Sequence, residues 1–170
     1  MRVVGLDLSL TSSGIADDEG THLIRTKTTG IERLRLIRES VLAHTARGIA
    51  ANLVVIEGYS FASRFKGEFM GELGGVVKVA LWEAGIPFAV VQPALLKTYA
   101  TGKGNAPKEA MLAAAIRRLG YGGDSHDEAD ACWLYAMGRD WLGEPFRPMP
   151  EAHRKALAKV EWPDLAVVLS

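Results

Sequence analysis

One cysteine, Cys132, stands in 170 residues, and that scarcity excludes an internal disulfide framework and suits a reducing compartment. With Ala131 and Trp133 beside it and no histidine paired to it, Cys132 reads as a core thiol rather than a nucleophile. Long hydrophobic runs are lacking too. No stretch approaches the ~20 apolar residues of a membrane span, and the chain enters a strand at once without signal-peptide architecture, so a cytoplasmic protein is expected. There is no internal repeat or low-complexity stretch. An excess of one charge is also missing, since 20 lysines and arginines face 20 aspartates and glutamates. A net charge of zero, taken alone, speaks against a nucleic-acid partner.

The distribution of charge says otherwise. Residues 61–118 carry eight basic side chains (Arg64, Lys66, Lys78, Lys97, Lys103, Lys108, Arg117, Arg118) against four acids (Glu68, Glu72, Glu83, Glu109), a local +4. Residues 119–138 carry Asp124, Asp127, Glu128 and Asp130 with no lysine or arginine, a local −4. A basic surface beside an acidic pocket suits a nuclease, the one holding phosphates and the other metals, although a charge run is also what a solvated face looks like.

The pattern predicts strands over 2–8, 13–17 and 21–27, with Asp17-Asp18-Glu19-Gly20 turning the second into the third. Ile31, Leu34, Ile37, Val41 and Leu42 recur at helical spacing through 31–50. A strand over 53–57, a helix over 67–84 and a strand over 86–91 stopped by Pro93 follow. Helices are expected over 94–100, 107–119 and 125–141, with Pro107 in a first turn and Gly120 as a C-cap. Three antiparallel strands followed by alternating strands and helices imply an α/β fold: a mixed five-stranded sheet with helices on both faces. The unit expected is 1–141. From 142 to 170 prolines gather (Pro145, Pro148, Pro150, Pro163), predicting a proline-rich tail with one short basic helix over 152–160.

Chemistry concentrates on four acids. Val3-Val4-Gly5-Leu6-Asp7 and Leu53-Val54-Val55-Ile56-Glu57 are buried-strand runs that end in a carboxylate. A carboxylate there is costly unless a cation or hydrogen bonds compensate it. Asp127 and Asp130, three apart, share one face of a helix. Each has a bland reading: Asp7 caps a turn, Glu57 pairs with a lysine, Asp127 meets its own helix dipole. Four acids brought together repel one another unless a hard divalent cation such as Mg2+ binds, so the set reads as a metal-dependent phosphoryl-transfer site. Glu128 falls off the shared face and is expected in solvent. His126 is expected as a cap or an exposed residue, since its spacing matches no zinc motif.

These motifs resemble the RuvC family of Holliday-junction resolvases, which have a ribonuclease-H-like fold, and the resemblance runs from Met1 to about Trp141. Gly5-Leu6-Asp7-Leu8-Ser9 through Gly14 is similar to the family's first-strand motif, Ile56-Glu57 to its second acid, and Asp127-Glu128-Ala129-Asp130-Ala131 to its late D-x-x-D-A motif. Lys97 and Lys108 reproduce the family's two lysines eleven residues apart, with Gly102-Lys103-Gly104-Asn105-Ala106 between them. The resemblance implies a homodimer that resolves four-way DNA junctions by two symmetric nicks. It implies two Mg2+ ions per site, with Mn2+ able to substitute, held by Asp7, Glu57, Asp127 and Asp130. Lys97 and Lys108 would offset charge on the phosphorane, and the products would carry 5′-phosphate and 3′-hydroxyl ends.

The family also places an aromatic residue soon after the second acid, where it wedges into the junction. Tyr59 and Phe61 both qualify here, neither at the family's offset, and a core role is the alternative for each. Arg64, Lys66 and Lys103 are expected to hold phosphates. Met70, Leu73, Val77 and Leu81 form a stripe that reads equally as a dimer surface or as core. Two other functions stay open: a nuclease acting on RNA or on branched DNA generally, and an actin-like or sugar-kinase-fold phosphotransferase, for which 170 residues is short.

Overall fold

The computed structural model describes residues 1–48, 50–59 and 64–165, and of 64–67 the backbone alone. Five strands form one sheet: β1 (Val3–Asp7), β2 (Ser12–Asp17), β3 (Gly20–Arg25), β4 (Leu53–Glu57) and β5 (Phe88–Val91), in the order β3-β2-β1-β4-β5. The pairs β1–β2 and β2–β3 are antiparallel, while β1–β4 and β4–β5 are parallel. This is the mixed five-stranded sheet that the strand and helix order implies. The helices are α1 (Gly30–Thr45), α2 (Arg64–Glu83), α3 (Pro93–Thr101), α4 (Lys108–Ala114), α5 (His126–Trp141) and α6 (Glu151–Arg154).

Successive side chains of a strand point to opposite faces, and β1 and β4 are apolar at both parities, so each face needs its own helical cover. Val3, Leu53 and Val55 pack with Trp133, Leu134 and Met137 under α3, α4 and α5. Val4, Leu6, Val54 and Ile56 pack with Ile37, Leu73, Val77 and Leu81 of α1 and α2. Of the stripe Met70, Leu73, Val77 and Leu81, the last three are fully buried and Met70 packs partly buried against the same cluster, so the stripe is core and the dimer-surface reading of it falls. Among the described residues, the large exposed apolar side chains of α2 lie elsewhere on the helix, at Phe69, Val79 and Trp82.

Several boundaries differ from expectation for local reasons. α1 stops at Thr45, short of residue 50; the Thr45 hydroxyl donates back to the Val41 carbonyl at 2.9 Å, and Gly48 then takes a left-handed φ of 63°. The helix expected over 107–119 begins after Pro107, which is its N-cap, and its last five residues, Ala115–Leu119, widen into a π-helical turn closed by Gly120. Glu128 is half-buried, not solvent-facing, because its carboxylate accepts the Tyr121 hydroxyl at 2.9 Å.

The segment after Trp141 is laid against the body of the fold. It holds α6 and a 3-10 turn (Leu157–Lys159) in place of one continuous helix. Trp162 stacks on Trp141 with ring centroids 4.6 Å apart. Arg154 donates to the buried Asp140 carboxylate at 3.0 Å, and that carboxylate also accepts the Tyr99 hydroxyl at 3.0 Å. A buried carboxylate left with only one of these donors would carry a large desolvation penalty, which explains why α3, α5 and α6 meet there.

Candidate active site

The register of β1 and β4 builds the first half of the site. Leu6 pairs with Ile56 in a parallel ladder, so the next residues, Asp7 and Glu57, stand side by side at the C-terminal ends of adjacent strands. Both fall on the parity that faces α5. That helix starts at the N-cap Ser125, whose side chain accepts the Glu128 N–H at 3.3 Å, and this fixes where its first acids point.

Two glycines decide how close α5 can come. A β-carbon on Gly14 would lie 2.1 Å from the Asp127 carbonyl oxygen, and one on Gly5 would lie 2.1 Å from the Ala131 carbonyl oxygen. No side chain fits at either point, so β1 and β2 accept the helix backbone directly. The result places the carboxylate oxygens of Asp7, Glu57 and Asp130 within 4.8 Å of one another. Asp127 is not in that trio. It lines the same cleft, of about 320 Å³, along with Ser9, Lys97 and Lys108. Gly5 and Gly14 were visible in the sequence only as parts of a motif; their steric role needed the helix position.

Electrostatics follow from crowding and burial. The Asp7 carboxyl is held well above its ordinary range, first by burial, then by the charges of Glu57 and Asp130. Burial and Asp130 push Glu57 up to about 7. Burial raises Asp130 to about 6, with Asp127 adding to the rise and Lys108 and His126 opposing it. Lys97 and Lys108 both lower Glu57 and Asp130 through space, so both face this cleft. An all-oxygen donor set whose members cannot ionise together without a counter-charge fits a hard divalent cation.

His126 departs from its expectation. It is half-buried at the first position of α5, the capping role belongs to Ser125, and its buried Nδ1 meets no partner among the described residues. Cys132 keeps its proton, since burial pushes the thiol up to about 12. Lys103 is exposed in the turn that follows α3, where Gly102 takes a φ of 81°. The Tyr59 ring lies against Gly71 and Gly74 of α2, in space that a β-carbon at either glycine would touch. Phe61, and the side chains of Arg64 and Lys66, lie outside the described residues.

The chain matches no family model. Among curated proteins it is 30% identical over 171 residues to the crossover junction endodeoxyribonuclease RuvC of Nocardia farcinica (strain IFM 10152), which covers 92% of this chain and 89% of that protein. It is 36% identical over 100 residues to the RuvC of Anaeromyxobacter sp. (strain K), a match that spans 59% of this chain and about half, 54%, of that relative. Among solved structures, Thermus thermophilus RuvC superposes with a TM-score of 0.66 at 23% identity, covering 88% of this chain and 100% of that one. T. thermophilus RuvC in complex with Holliday junction substrate gives 0.68 at 22% identity, covering 88% and 99%. These two likenesses carry the ribonuclease-H-like fold.

Proposed function

The chain belongs to the RuvC family, and from that membership we propose that it is a structure-selective endonuclease that resolves four-way DNA junctions by paired symmetric nicks. The observation that carries the reading is the trio Asp7, Glu57 and Asp130, gathered within 4.8 Å in a cleft that Lys97 and Lys108 also line. Asp7, Glu57, Asp127 and Asp130 would hold two Mg2+ ions, for which Mn2+ substitutes; when bound, such ions lower the pKa of a water and stabilise the leaving 3′ oxygen. The chain's own residues do the rest. Asp7, on the central strand β1 beside Glu57, lines the cleft. Lys97 and Lys108 offset charge as it builds on the phosphorane oxygens. Lys103, exposed in its turn, together with Arg64 and Lys66, grips flanking phosphates. The products are 5′-phosphate and 3′-hydroxyl ends.

Two symmetric nicks require two opposed sites, hence a C2 homodimer. The apolar side chains that α2 leaves exposed, Val79 at 55% and Trp82 at 76%, support a surface for it. Junction wedging is assigned to Tyr59 or Phe61. The seat of Tyr59 on α2 favours a second reading, a general branched-DNA nuclease, if Phe61 does not supply the wedge. Labelled four-way junction, duplex, flap and RNA incubated with the protein in Mg2+ separate the two. Paired, religatable nicks confined to the junction are expected; equal rates on flaps would replace resolution with general branched-DNA cleavage, and cleavage of RNA alone would remove both.

Lys97→Ala and Lys108→Ala are expected to slow junction cleavage by roughly 100-fold while changing affinity little, since the loss falls on the transition state. Because both lysines lower the pKa values of Glu57 and Asp130, the acid limb of the rate profile should also move to higher pH in these variants. Equal losses in rate and affinity would reassign them to phosphate anchoring. Lys103→Ala should instead weaken binding and flatten the dependence of log affinity on log salt by about one unit, the yield of one lost phosphate contact. An unchanged slope would make it a solvated bystander.

A further inference from the structure

The end of the sheet opposite the acid cleft gathers a second set of ligand-type side chains. β2 runs antiparallel to β1, so its last residue, Asp17, lies beyond the Gly5–Ala16 pair and away from Asp7. In the β2–β3 ladder His22 pairs with Ile15, two residues from Asp17, so His22 and Asp17 share the face that α1 covers. His44, in the last turn of α1, comes down on the same spot. One ligand atom from each of Asp17, His22 and His44 lies within 4.8 Å of the others. The two imidazole rings are in contact, with centroids 4.7 Å apart, and His44 Nε2 is 3.9 Å from Asp17 Oδ2.

We propose that Asp17, His22 and His44 form a binding site for a borderline divalent transition metal of the Zn2+, Co2+ or Ni2+ class, which staples the β2–β3 hairpin to the end of α1. Two imidazoles and one carboxylate are the donor set of such metals and not of Mg2+, which takes oxygen ligands. The carboxylate is already oriented. Its side chain is 2% exposed, Oδ1 accepts the Glu19 N–H at 2.9 Å, and Oδ2 accepts from Arg2 at 3.2 Å, the outer contacts that commonly fix a ligating group. The guanidinium beside it opposes a second cation. Arg2, however, also donates to the carbonyls of His44 at 2.8 Å and Thr45 at 3.1 Å, so its charge is spread over the C-terminal end of α1, whose dipole favours cations.

The movement needed is small. Ligands about 2.0–2.1 Å from a tetrahedral ion stand about 3.3 Å apart, so the Asp17–His44 separation of 3.9 Å must close by about half an ångström. His22 is exposed on the edge strand β3 and can turn to meet the ion, leaving the fourth position to water.

The test uses the full chain, stripped of metal with chelator and then held in excess Mg2+ so that the acid cleft is occupied. Zn2+ is expected to raise the melting temperature by several degrees, and equilibrium dialysis to show one Zn2+ retained per chain. Co2+ should give a visible absorption band characteristic of nitrogen ligation. His22→Ala, at an exposed position, and His44→Ala should abolish all three signals, while junction cleavage in Mg2+ stays at the wild-type rate in His22→Ala. No Zn2+ response in the wild type, or the same response in folded His22→Ala, overturns the site and leaves an Asp17–Arg2 ion pair with two packed imidazoles beside it. Because no signal depends on cleavage, failure here is distinguishable from failure of the nuclease reading.

Discussion

Asp7→Asn is expected to lower Mg2+-dependent junction cleavage by at least about 1000-fold, the scale of several kcal/mol that a bound metal contributes to the transition state. Junction binding should survive, because no basic side chain is removed. The same variant should melt higher than the wild type in chelator at pH 8. Glu57 and Asp130 have folded pKa values of about 7 and about 6, above their ordinary 4.5 and 3.8. The folded protein therefore binds more protons than the unfolded chain between those limits, and metal-free stability falls as pH rises from about 4 to 7. Asparagine keeps the shape of Asp7 and removes its charge, and each kcal/mol of repulsion relieved corresponds to about 2–4 °C for a domain of this size. Adding Mg2+ should raise the melting temperature of the wild type and leave that of Asp7→Asn nearly unmoved. Wild-type turnover in Asp7→Asn would remove it from the site. A lower melting point than wild type in chelator at pH 8 would sink the crowding argument.

Gly14→Ala is expected to damage the site from a distance. The added methyl would stand 2.1 Å from the Asp127 carbonyl oxygen, a contact with backbone that no rotamer change relieves. Either β2 or the first turn of α5 must shift; Asp127 rides on that turn and Asp130 opens the next. Overpacking of this kind costs typically 1–3 kcal/mol, so the melting temperature should fall by about 3–10 °C. Cleavage should fall by 100-fold or more, since misplacing a reacting group by about an ångström has that effect. The diagnostic reading is Mg2+ affinity, followed by thermal shift at a temperature where the variant is folded. A variant that is destabilised but keeps wild-type Mg2+ affinity and turnover would show that the close approach serves the fold and not the ligand geometry.

Much of the molecule is legible because its signals are local. Val3–Asp7 and Leu53–Glu57 are apolar at both parities and end in acids, which marks central strands with carboxylates at their tips. The three-residue spacing of Asp127 and Asp130 needs only helical geometry to put them on one face. Where adjacent turns are decided by single contacts, the pattern runs on too far: nothing in Ala46 to Ala50 announces that the Thr45 hydroxyl will bend back to Val41, and nothing in 107–119 announces a π-helical end.

Charge and periodicity by themselves determined a mixed sheet covered on both faces and acids at the ends of two of its buried strands. Tertiary structure alone decided which acids converge. The parallel register sets Asp7 beside Glu57, and Gly5 and Gly14 let α5 descend far enough to bring Asp130 into contact range while Asp127 stays on the cleft wall. The same holds for Asp17, His22 and His44, which belong to three elements and share no motif; only the hairpin register and the end point of α1 bring them together. The physical reason is one of range. Propensity and periodicity act over a few residues, whereas a ligand set is fixed by how closely backbones can approach across the sheet, and that depends on the absence of side chains at positions distant in the chain.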